Sequence, residues 1–488
     1  MTGQLFIDNQ WQTGQGEPFQ SVSPATKTQV WHGNAADSND VKTALLAARA
    51  AFSAWSEMDL EQRIQVARKF ATIVQENANE FANMISLEMG KPLWESRTEV
   101  AAVAGKVQLA VDSLKSRRDT VTSEMGGYRA VTRYKPHGVL GILGPFNLPA
   151  HLPNGHLIPA ILAGNTIVLK PSELTPRVGE MMVGYWELAG IPAGVINLVQ
   201  GGRETGIALA TDCEIDGVLF TGSSRAGIAL NQALAATPNK MIALEMGGNN
   251  PLVVHKSQNL EAAAYHTVLS AYITSGQRCT CARRLYLVKG SRASEFMDCL
   301  VEMIGRIRVG FPEDQPEPFI GPVVNQETGR RMLVAQEKML AAGGRILCRM
   351  EEQQGCAALL SPGLIDVTDV ASLDDEEWFG PLLQVVSVDS FDDAIVHCNQ
   401  TKYGLAAGLI SDNPELYAEF IRKIRAGVVN WNRQTTGASG KLPFGGCGLS
   451  GNHRPGGYFA ADYCSFPMAS LESEQAVLPE NLATGIDL

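Results

Sequence analysis

The chain has 488 residues, of which 45% are hydrophobic and 19% charged, and its formal net charge is −11. Because a single core rarely grows beyond about 250–300 residues, this length predicts two or three folded domains. Binding to nucleic acid or to an anionic membrane depends on clustered Lys and Arg, so the acidic balance argues against both and favours an enzyme that acts on a small molecule.

The N-terminal segment MTGQLFIDNQW lacks the basic start and apolar run of a signal peptide, and no window holds the roughly 18 apolar residues of a membrane span. We therefore expect a cytoplasmic protein. Its nine cysteines are scattered along the chain, which does not fit a disulfide framework. Neither the pair Cys279 and Cys281 nor the pair His151 and His156 is followed by a second pair at metal-binding spacing, so no structural metal is expected.

Two amphipathic helices are predicted near the N-terminus, at 39–55 and 60–77, where apolar residues recur three and four positions apart. Short β-branched strands then alternate with helical segments across about 138–245, the spacing of a doubly wound α/β domain. The predicted strands are 138–143, 166–170, 195–199 and 217–220, with a helix at 179–188.

A second alternating series over about 250–437 predicts a second α/β domain. Two strand-like segments, 128–134 and 463–467, lie outside both series. Because strands outside a sheet have unpaired edges that can pair with another chain, we expect a homodimer or a higher homo-oligomer.

The sequence GQRCTCARR contains the strongest candidate nucleophile, Cys279. A cysteine attacks an electrophilic carbon as the thiolate, and neighbouring cations lower its pKa. We expect Arg278, Arg283 and Arg284 to supply that field. The alternative is that Cys279 is a small buried hydrophobe, as most intracellular cysteines are.

In LFTGSSRAG a short apolar strand runs into Gly222, Ser223 and Gly227 ahead of a helix predicted at 228–235. Backbone amides at a helix N-terminus, aided by the helix dipole, bind phosphate. The turn differs from the usual GxGxxG fingerprint. Since glycine turns before helices are common, this motif alone is a weak indication of a cofactor site.

The segment LKPSELTP places Lys170 and Glu173 where a strand ends, at the edge where open α/β sheets bind ligands. The Glu173 carboxylate can accept hydrogen bonds from ribose hydroxyls and would repel a 2′-phosphate, which favours NAD over NADP. The alternative is an ordinary solvated pair in a loop.

Two further residues are candidates for acid–base and electrostatic roles. Glu245, in LEMGGNNP, lies shortly before two glycines, and a Glu partly removed from water has a raised pKa that suits a general base. Asn147, in GPFNLP, follows a buried strand in a proline-rich turn, where its amide can be held as an oxyanion donor. The alternatives are a surface carboxylate and a routine turn Asn.

Together these motifs resemble the aldehyde dehydrogenase superfamily over nearly the whole chain. The matching segments, in order, are GPFNLP, LKPSELTP, FTGSSRAG, LEMGGNNP, GQRC, EEWFGPL, GVVNWN and PFGGCGLSG. The resemblance implies that Cys279 attacks the aldehyde, that Asn147 stabilises the oxyanion, and that Glu245 activates the water that hydrolyses the thioester. NAD is the implied cofactor, and its implied ligands are Lys170, Glu173, Gly222, Ser223, Gly227, Glu377 and Phe379.

The resemblance also implies an α/β fold with three parts. A doubly wound, Rossmann-like NAD domain would comprise 1–122 and 138–247, and a second α/β domain at 248–447 would carry the catalytic cysteine. A small β oligomerisation element would comprise 123–137 and 460–488.

Three strings resemble one subgroup closely, the N-succinylglutamate 5-semialdehyde dehydrogenases of bacterial arginine catabolism: HLPNGHLIPAILAGNT, GQRCTCARRL and GNHRPGGYFAADYCSFPMASLES. Such an aldehyde carries two carboxylates, so its pocket should offer cations. Arg278, His453 and Arg454 are the candidates, and for Arg454 a salt bridge at a subunit contact is the alternative. Cys281 marks the subgroup without an assigned chemical role.

Three rival functions are open. An acylating dehydrogenase, which passes the thioester to coenzyme A, would not need Glu245. A dehydrogenase of a different aldehyde is opposed by the subgroup strings alone. A relative without catalytic activity should have lost Cys279, Glu245 or Asn147, and all three are present.

Overall fold

The computed structural model describes residues 3–290, 292–476, 478 and 482–486. The first elements are β1 (Leu5–Ile7), β2 (Gln10–Gln12), β3 (Pro18–Val22), β4 (Gln29–Asn34), α1 (Ser38–Glu57), α2 (Leu60–Glu76), α3 (Ala78–Met89), α4 (Leu93–Arg117), β5 (Val121–Met125) and β6 (Tyr128–Pro136). They are followed by β7 (Val139–Leu143), α5 (His151–Ala163), β8 (Thr166–Lys170), α6 (Pro176–Ala189), β9 (Ile196–Leu198), α7 (Arg203–Thr211), β10 (Gly217–Gly222), α8 (Ser224–Leu234) and β11 (Met241–Met246).

The second half of the chain continues the alternation. Its elements are β12 (Asn250–Val254), α9 (Leu260–Tyr272), β13 (Ala282–Val288), α10 (Ala293–Gly305), α11 (Gln326–Ala341), β14 (Arg345–Cys348), β15 (Glu352–Gln353), β16 (Cys356–Leu360), β17 (Gly363–Asp366), β18 (Leu382–Val388), α12 (Phe391–Asn399), β19 (Ala406–Ile410), α13 (Pro414–Lys423), β20 (Val428–Trp431), β21 (Pro443–Phe444), β22 (Gly456–Gly457), α14 (Ala460–Tyr463) and β23 (Ser465–Glu472).

The first sheet has the strand order β11-β10-β7-β8-β9-β1-β2. Strands β7 to β11 pair in parallel, and β1 joins β9 in the antiparallel sense. Strands β7 and β8 are buried along their whole length, as expected for a sheet covered by helices on both faces. The strand order reverses between β7 and β10, which opens a crevice at their carboxyl ends. The predicted doubly wound architecture is confirmed.

The boundaries of these elements differ slightly from the prediction. The strand at 166–170 matches β8, whereas 195–199 shrinks to β9 and 217–220 lengthens to include Gly222. The helix expected at 228–235 already begins at Ser224, because the Ser223 side chain accepts a hydrogen bond from the Ala226 N–H and caps the first turn.

The second sheet has the strand order β14-β17-β18-β13-β12-β19-β20 and is parallel except where β14 meets β17. Its central strand β13 is buried at every position, and α9 and α10 pack on it with Phe296 and Leu300 in the core. This confirms the predicted second α/β unit. The carboxyl end of β11 leads directly into β12, so the two sheets are joined next to Glu245.

A third, three-stranded sheet has the order β23-β6-β5, with β23 antiparallel to β6 from Ser465 to Glu472. The strand predicted at 463–467 begins only at Ser465, since residues 460–463 form the short helix α14. Apolar side chains such as Val121, Met125 and Leu471 are exposed on this sheet. Its role in assembly and the domain limits given above stay predictions. Within the described residues, no helix combines the length and apolar character required to cross a bilayer.

Candidate active site

Four neighbouring strands of the first sheet end at predicted site residues. Asn147 follows β7, Lys170 closes β8, and Gly222 closes β10. Glu245 lies on β11 opposite Thr221 of β10. Because parallel strands present their carboxyl ends at one edge, residues almost 100 positions apart in the sequence share one edge of the crevice.

The loop that carries Cys279, residues 277–281, is called the nucleophile loop after the predicted role of this cysteine, and it is held by both sheets. It follows a short 3₁₀ turn in which Thr274, Ser275 and Gly276 all have positive φ, at 56°, 54° and 73°. The Asn147 side-chain amide donates to the Gln277 carbonyl over 2.9 Å. Asn250, at the start of β12, donates to the Cys279 carbonyl over 2.7 Å.

This loop geometry brings the predicted nucleophile and the predicted oxyanion donor together. The amide of Asn147 is hydrogen-bonded to the residue two positions before Cys279 and is therefore held in place in advance, as an oxyanion donor needs to be. Sequence reasoning did not foresee Asn250, because a conformationally ordinary Asn at a strand start gives no signal of a distant loop.

The pKa of the Cys279 thiol is raised to about 12, first because this half-buried group is poorly solvated and then because Glu377 and Glu245 lie near it. Of the expected cations, Arg283 alone opposes this shift. The expectation that the neighbouring arginines bring the pKa of this thiol toward neutrality is therefore wrong. In the free protein Cys279 is a protonated thiol at neutral pH, and it must lose a proton as it reacts.

The three arginines have other partners. Arg278 forms an ion pair of 2.8 Å with Glu95 of α4. Arg283 donates to the Gly276 carbonyl over 2.7 Å, and Arg284 donates to the Asp374 carbonyl over 3.1 Å. Arg278 and Arg283 thus brace the loop around the thiol, whereas Arg284 bonds a different segment.

Glu245 is buried and has one hydrogen bond among the described residues, from the Gly456 N–H to its Oε1 over 3.1 Å. Its Oε2 has no partner within that part of the chain. Burial raises the pKa of this carboxyl well above its ordinary value. A carboxyl with one free oxygen and a raised pKa has the properties of a general base.

The segment EEWFGPL contacts the other motifs. Glu377 accepts a hydrogen bond from the Gly248 N–H over 3.2 Å, and its pKa is raised to about 6 by burial. The ring of Phe379 meets that of Phe146 edge to face, with the centroids 6.0 Å apart. The guanidinium of Arg283 lies 5.4 Å from the Phe379 centroid. Glu377 and Phe379 therefore lie beside the nucleophile loop.

The remaining predicted cofactor residues lie along the crevice. Lys170 is buried, and its Nζ donates to the Pro171 and Gly201 carbonyls over 2.8 and 2.7 Å. Glu173 lies 3.7 Å from that Nζ and is about half exposed. Its carboxylate is therefore accessible to solvent at the end of β8.

Gly227 has a different role from that of the turn residues. It lies inside the first turns of α8, and a Cβ there would stand 2.3 Å from the Met246 Sδ. The glycine lets the helix approach β11 closely. The structure therefore places Gly222 and Ser223 between the carboxyl end of β10 and the start of α8, and Gly227 in the packing of α8 on β11.

The predicted substrate residues divide into two places. His453 and Arg454 are exposed and line a cavity of about 290 Å³ together with Glu245 and Cys447. Cys279 does not line this cavity. Arg278 does not line this cavity either and is held in its ion pair with Glu95.

A buried hydrogen-bonded chain near Glu245 was missed by sequence reasoning. Nδ1 of His156 is 2.8 Å from the Tyr463 hydroxyl, and Nε2 is 2.9 Å from the Thr221 hydroxyl. Burial lowers the pKa of His156 to about 4, so the ring is neutral. A lone His and a lone Tyr, 307 residues apart, give no joint signal in the sequence.

Comparison with known proteins agrees with this geometry. The model of the aldehyde dehydrogenase family matches residues 11–467. The solved structure of PnpE from Pseudomonas sp. WBC-3 is 30% identical, with 98% of this chain and 99% of that chain covered and a TM-score of 0.92. An NAD-dependent aldehyde dehydrogenase from Sinorhizobium meliloti is 28% identical, with 98% and 96% covered and a TM-score of 0.92.

A third similar structure is an indole-3-acetaldehyde dehydrogenase of P. syringae in complex with NAD⁺, which is 28% identical, with 96% of each chain covered and a TM-score of 0.90. A strand order with a crevice at its switch point and a cysteine held beside an Asn and a Glu define an oxidoreductase of aldehydes. The chain belongs to the aldehyde dehydrogenase family.

Proposed function

We propose that the protein oxidises N-succinyl-L-glutamate 5-semialdehyde to N-succinyl-L-glutamate with NAD, a step of arginine degradation. The chemistry rests on one observation, the fixing of the Asn147 amide on the loop that carries Cys279. The substrate rests on the three subgroup strings and on the cations near the site.

The residues of the crevice fit a dinucleotide. Gly222 and Ser223 stand at the N-terminus of α8, where a phosphate is favoured, and the accessible carboxylate of Glu173 suits ribose hydroxyls. At the other end, Glu377 and Phe379 would hold the nicotinamide riboside next to the nucleophile loop. The chemistry that bound NAD supplies is acceptance of the hydride that leaves the substrate carbon.

In the first half-reaction the Cys279 sulfur forms a bond to the aldehyde carbon, its proton is released to solvent, and the carbonyl π electrons become the oxyanion of a thiohemiacetal. The oxyanion is stabilised by the Asn147 amide and the Cys279 backbone N–H. Loss of the hydride leaves a thioester on Cys279. Glu245 then removes a proton from water, whose oxygen attacks the thioester carbon and releases the acid and the thiol.

Two carboxylates on the substrate require cationic partners, and Arg454 is the predicted one. It lines the same cavity as Glu245 and is exposed to it. His453, with φ at 65°, turns the loop at this point. Arg278 is a weaker candidate for binding a substrate carboxylate, because it is already paired with Glu95 and its charge would be divided between Glu95 and the substrate.

The assay that tests this proposal measures NADH production from N-succinylglutamate 5-semialdehyde beside several uncharged aldehydes. We expect the succinylated substrate to be preferred and Cys279→Ala to abolish turnover. Cys281→Ala is the matched control, because that thiol is buried, lies two residues away and should leave turnover intact. A preference for an uncharged aldehyde would overturn the substrate, and activity in Cys279→Ala would overturn the mechanism.

Arg454→Ala separates the substrate contact from its alternative. It should raise KM for the succinylated aldehyde strongly and KM for an uncharged aldehyde little. If Arg454 instead serves a subunit contact, both KM values and the sedimentation coefficient should change together.

We propose that subunits assemble through the β5, β6 and β23 sheet, which is supported by the exposed apolar side chains on it.

A further inference from the structure

A buried lysine, Lys106, lies on α4 with no ion pair and no hydrogen bond to any of the described residues. It is 8% exposed. The side chain as a whole is buried, but Nζ keeps a small accessible surface, so the ammonium is poorly hydrated and can still be reached by a ligand. Burial lowers the pKa of Lys106, and no nearby carboxylate raises it.

The other charges on this face of α4 are already neutralised. Glu95 pairs with Arg278 of the nucleophile loop. Glu99 pairs with Lys91 and also accepts the N–H groups of Ala150 and His151 at the start of α5. Lys106 lies about two turns further along the same face. Among the described residues on this face of α4, the positive charge of Lys106 is therefore not balanced by a carboxylate.

The ammonium of Lys106 sits against α5. A Cβ at Gly155 would lie 3.5 Å from Cε and 3.8 Å from Nζ of Lys106, which is ordinary van der Waals distance and shows that the end of the lysine side chain lies against this turn of α5. His151 and His156 are close enough for Lys106 to lower the pKa of both rings. The helix α5 begins four residues after Asn147, and Lys91 and Glu99 hold that beginning through the Asn147 carbonyl and the N–H groups of Ala150 and His151, so Lys106 contacts the helix that leads out of the site.

Other buried polar atoms on α5 are also unpartnered within the described chain. Nδ1 of His151 and both side-chain polar atoms of Asn154 have no hydrogen bond there. His151 also lies within the fields of Arg278 and Lys91. A buried cation, a neutral ring and an amide with free hydrogen-bonding capacity are what an anionic ligand with polar neighbours needs.

We propose that Lys106 binds a carboxylate of the aldehyde substrate and so determines the selectivity of the enzyme for acidic aldehydes. This rests on the proposed function and deepens it, because the two carboxylates of the succinylated substrate need two cations. Lys106 serves one carboxylate and Arg454 the other. Sequence reasoning missed Lys106, since a lysine in a helix usually extends into solvent.

The test compares Lys106→Met and Lys106→Arg on N-succinylglutamate 5-semialdehyde and on hexanal. Losing a charged hydrogen bond should lower kcat/KM for the acidic aldehyde about ten- to hundredfold in Lys106→Met, with hexanal changed less than about twofold. Lys106→Arg should recover most of the loss. Lys115→Met, at an exposed position on the same helix, is the control for removing one positive charge.

Binding is measured separately from turnover. In a Cys279→Ala background, the Kd of the product N-succinylglutamate should rise by the same factor in Lys106→Met, measured by calorimetry. An equal loss on both aldehydes, or an unchanged Kd, would overturn the role of Lys106.

A wrong role for Lys106 can be distinguished from a wrong substrate in the proposed function. If the wild type does not prefer the succinylated aldehyde, the same variants are compared on a straight-chain aldehyde with a terminal carboxylate and on its methyl ester. A Lys106→Met effect confined to the acid upholds the inference with another substrate, and equal effects on acid and ester refute it.

Discussion

The side-chain amide of Asn147 donates to the Gln277 carbonyl over 2.9 Å, so the residue after β7 is fastened to the loop two positions before Cys279. One N–H of this amide is used to hold the loop, and the second is available to a developing oxyanion. The bond joins the predicted oxyanion donor of the first sheet to the nucleophile loop.

Asn147→Ala should lower kcat about 10²- to 10³-fold, with a small change in KM, because the amide is most useful once the oxyanion has formed. Steady-state kinetics with saturating NAD measures both constants. Circular dichroism checks that the variant is folded. A large rise in KM with kcat preserved would mean that Asn147 positions the loop and does not stabilise the oxyanion.

Glu377→Gln should raise the reactivity of Cys279 toward iodoacetamide at pH 8 by roughly several-fold, since ionised Glu377 helps to hold the thiol pKa high. With a pKa of about 6, Glu377 is largely protonated at pH 5, and there the variant and the wild type should react alike. Alkylation of the Cys279 peptide is followed by mass spectrometry. The exposed Glu376→Gln is the control, and identical rates for Glu377→Gln and wild type at pH 8 would contradict this assignment.

Glu245→Gln should slow turnover about 10²- to 10⁴-fold while leaving a rapid first release of NADH, because thioester formation precedes the step that needs the base. Stopped-flow absorbance resolves the two phases. In the wild type, kcat should fall as the pH drops through the pKa of Glu245, which lies well above its ordinary value, since only the ionised carboxyl accepts a proton. This acid limb should vanish in the variant, and its persistence would point to another base.

Gly276→Ala should destabilise the protein and abolish most of the activity. A Cβ at this position would lie 2.0 Å from the Gly380 carbonyl oxygen, at a φ of 73°. Gly355→Ala is the matched control, because it has a φ of 64° with nothing within 4 Å of the added Cβ. That control should cost about 1 kcal/mol and no activity. Thermal unfolding and kcat compare the two, and equal effects would mean that backbone conformation, and not the contact, matters at Gly276.

The fold was predictable where the sequence pattern is local. Strand β8 reads as a continuous β-branched run because it is buried on both faces, and its limits came out unchanged at 166–170. Gly227 shows the limit of a local motif. Its spacing suits a phosphate turn, but its position relative to Met246 depends on how α8 packs on β11.

The ion pairs of the site and the pKa of its thiol could not be predicted from local sequence patterns. The arginines next to Cys279 in sequence have partners that come from far along the chain, such as Glu95 for Arg278. The field at a thiol depends on where each side chain ends, and proximity in sequence does not give that. The burial of Lys106 could not be predicted for the same reason, because it depends on how α4 packs on α5.

The hydrogen bond from the Gly456 N–H to Glu245 has a structural consequence at the C-terminus. Gly456 belongs to β22, and a short stretch containing α14 connects it to β23, the outer strand of the third sheet. The proposed general base is thus connected to the C-terminal strand β23, whereas the nucleophile loop is held by residues that follow or begin strands of both large sheets. We therefore expect that removing β23, or weakening its pairing with β6, would slow hydrolysis of the thioester more than formation of the thioester.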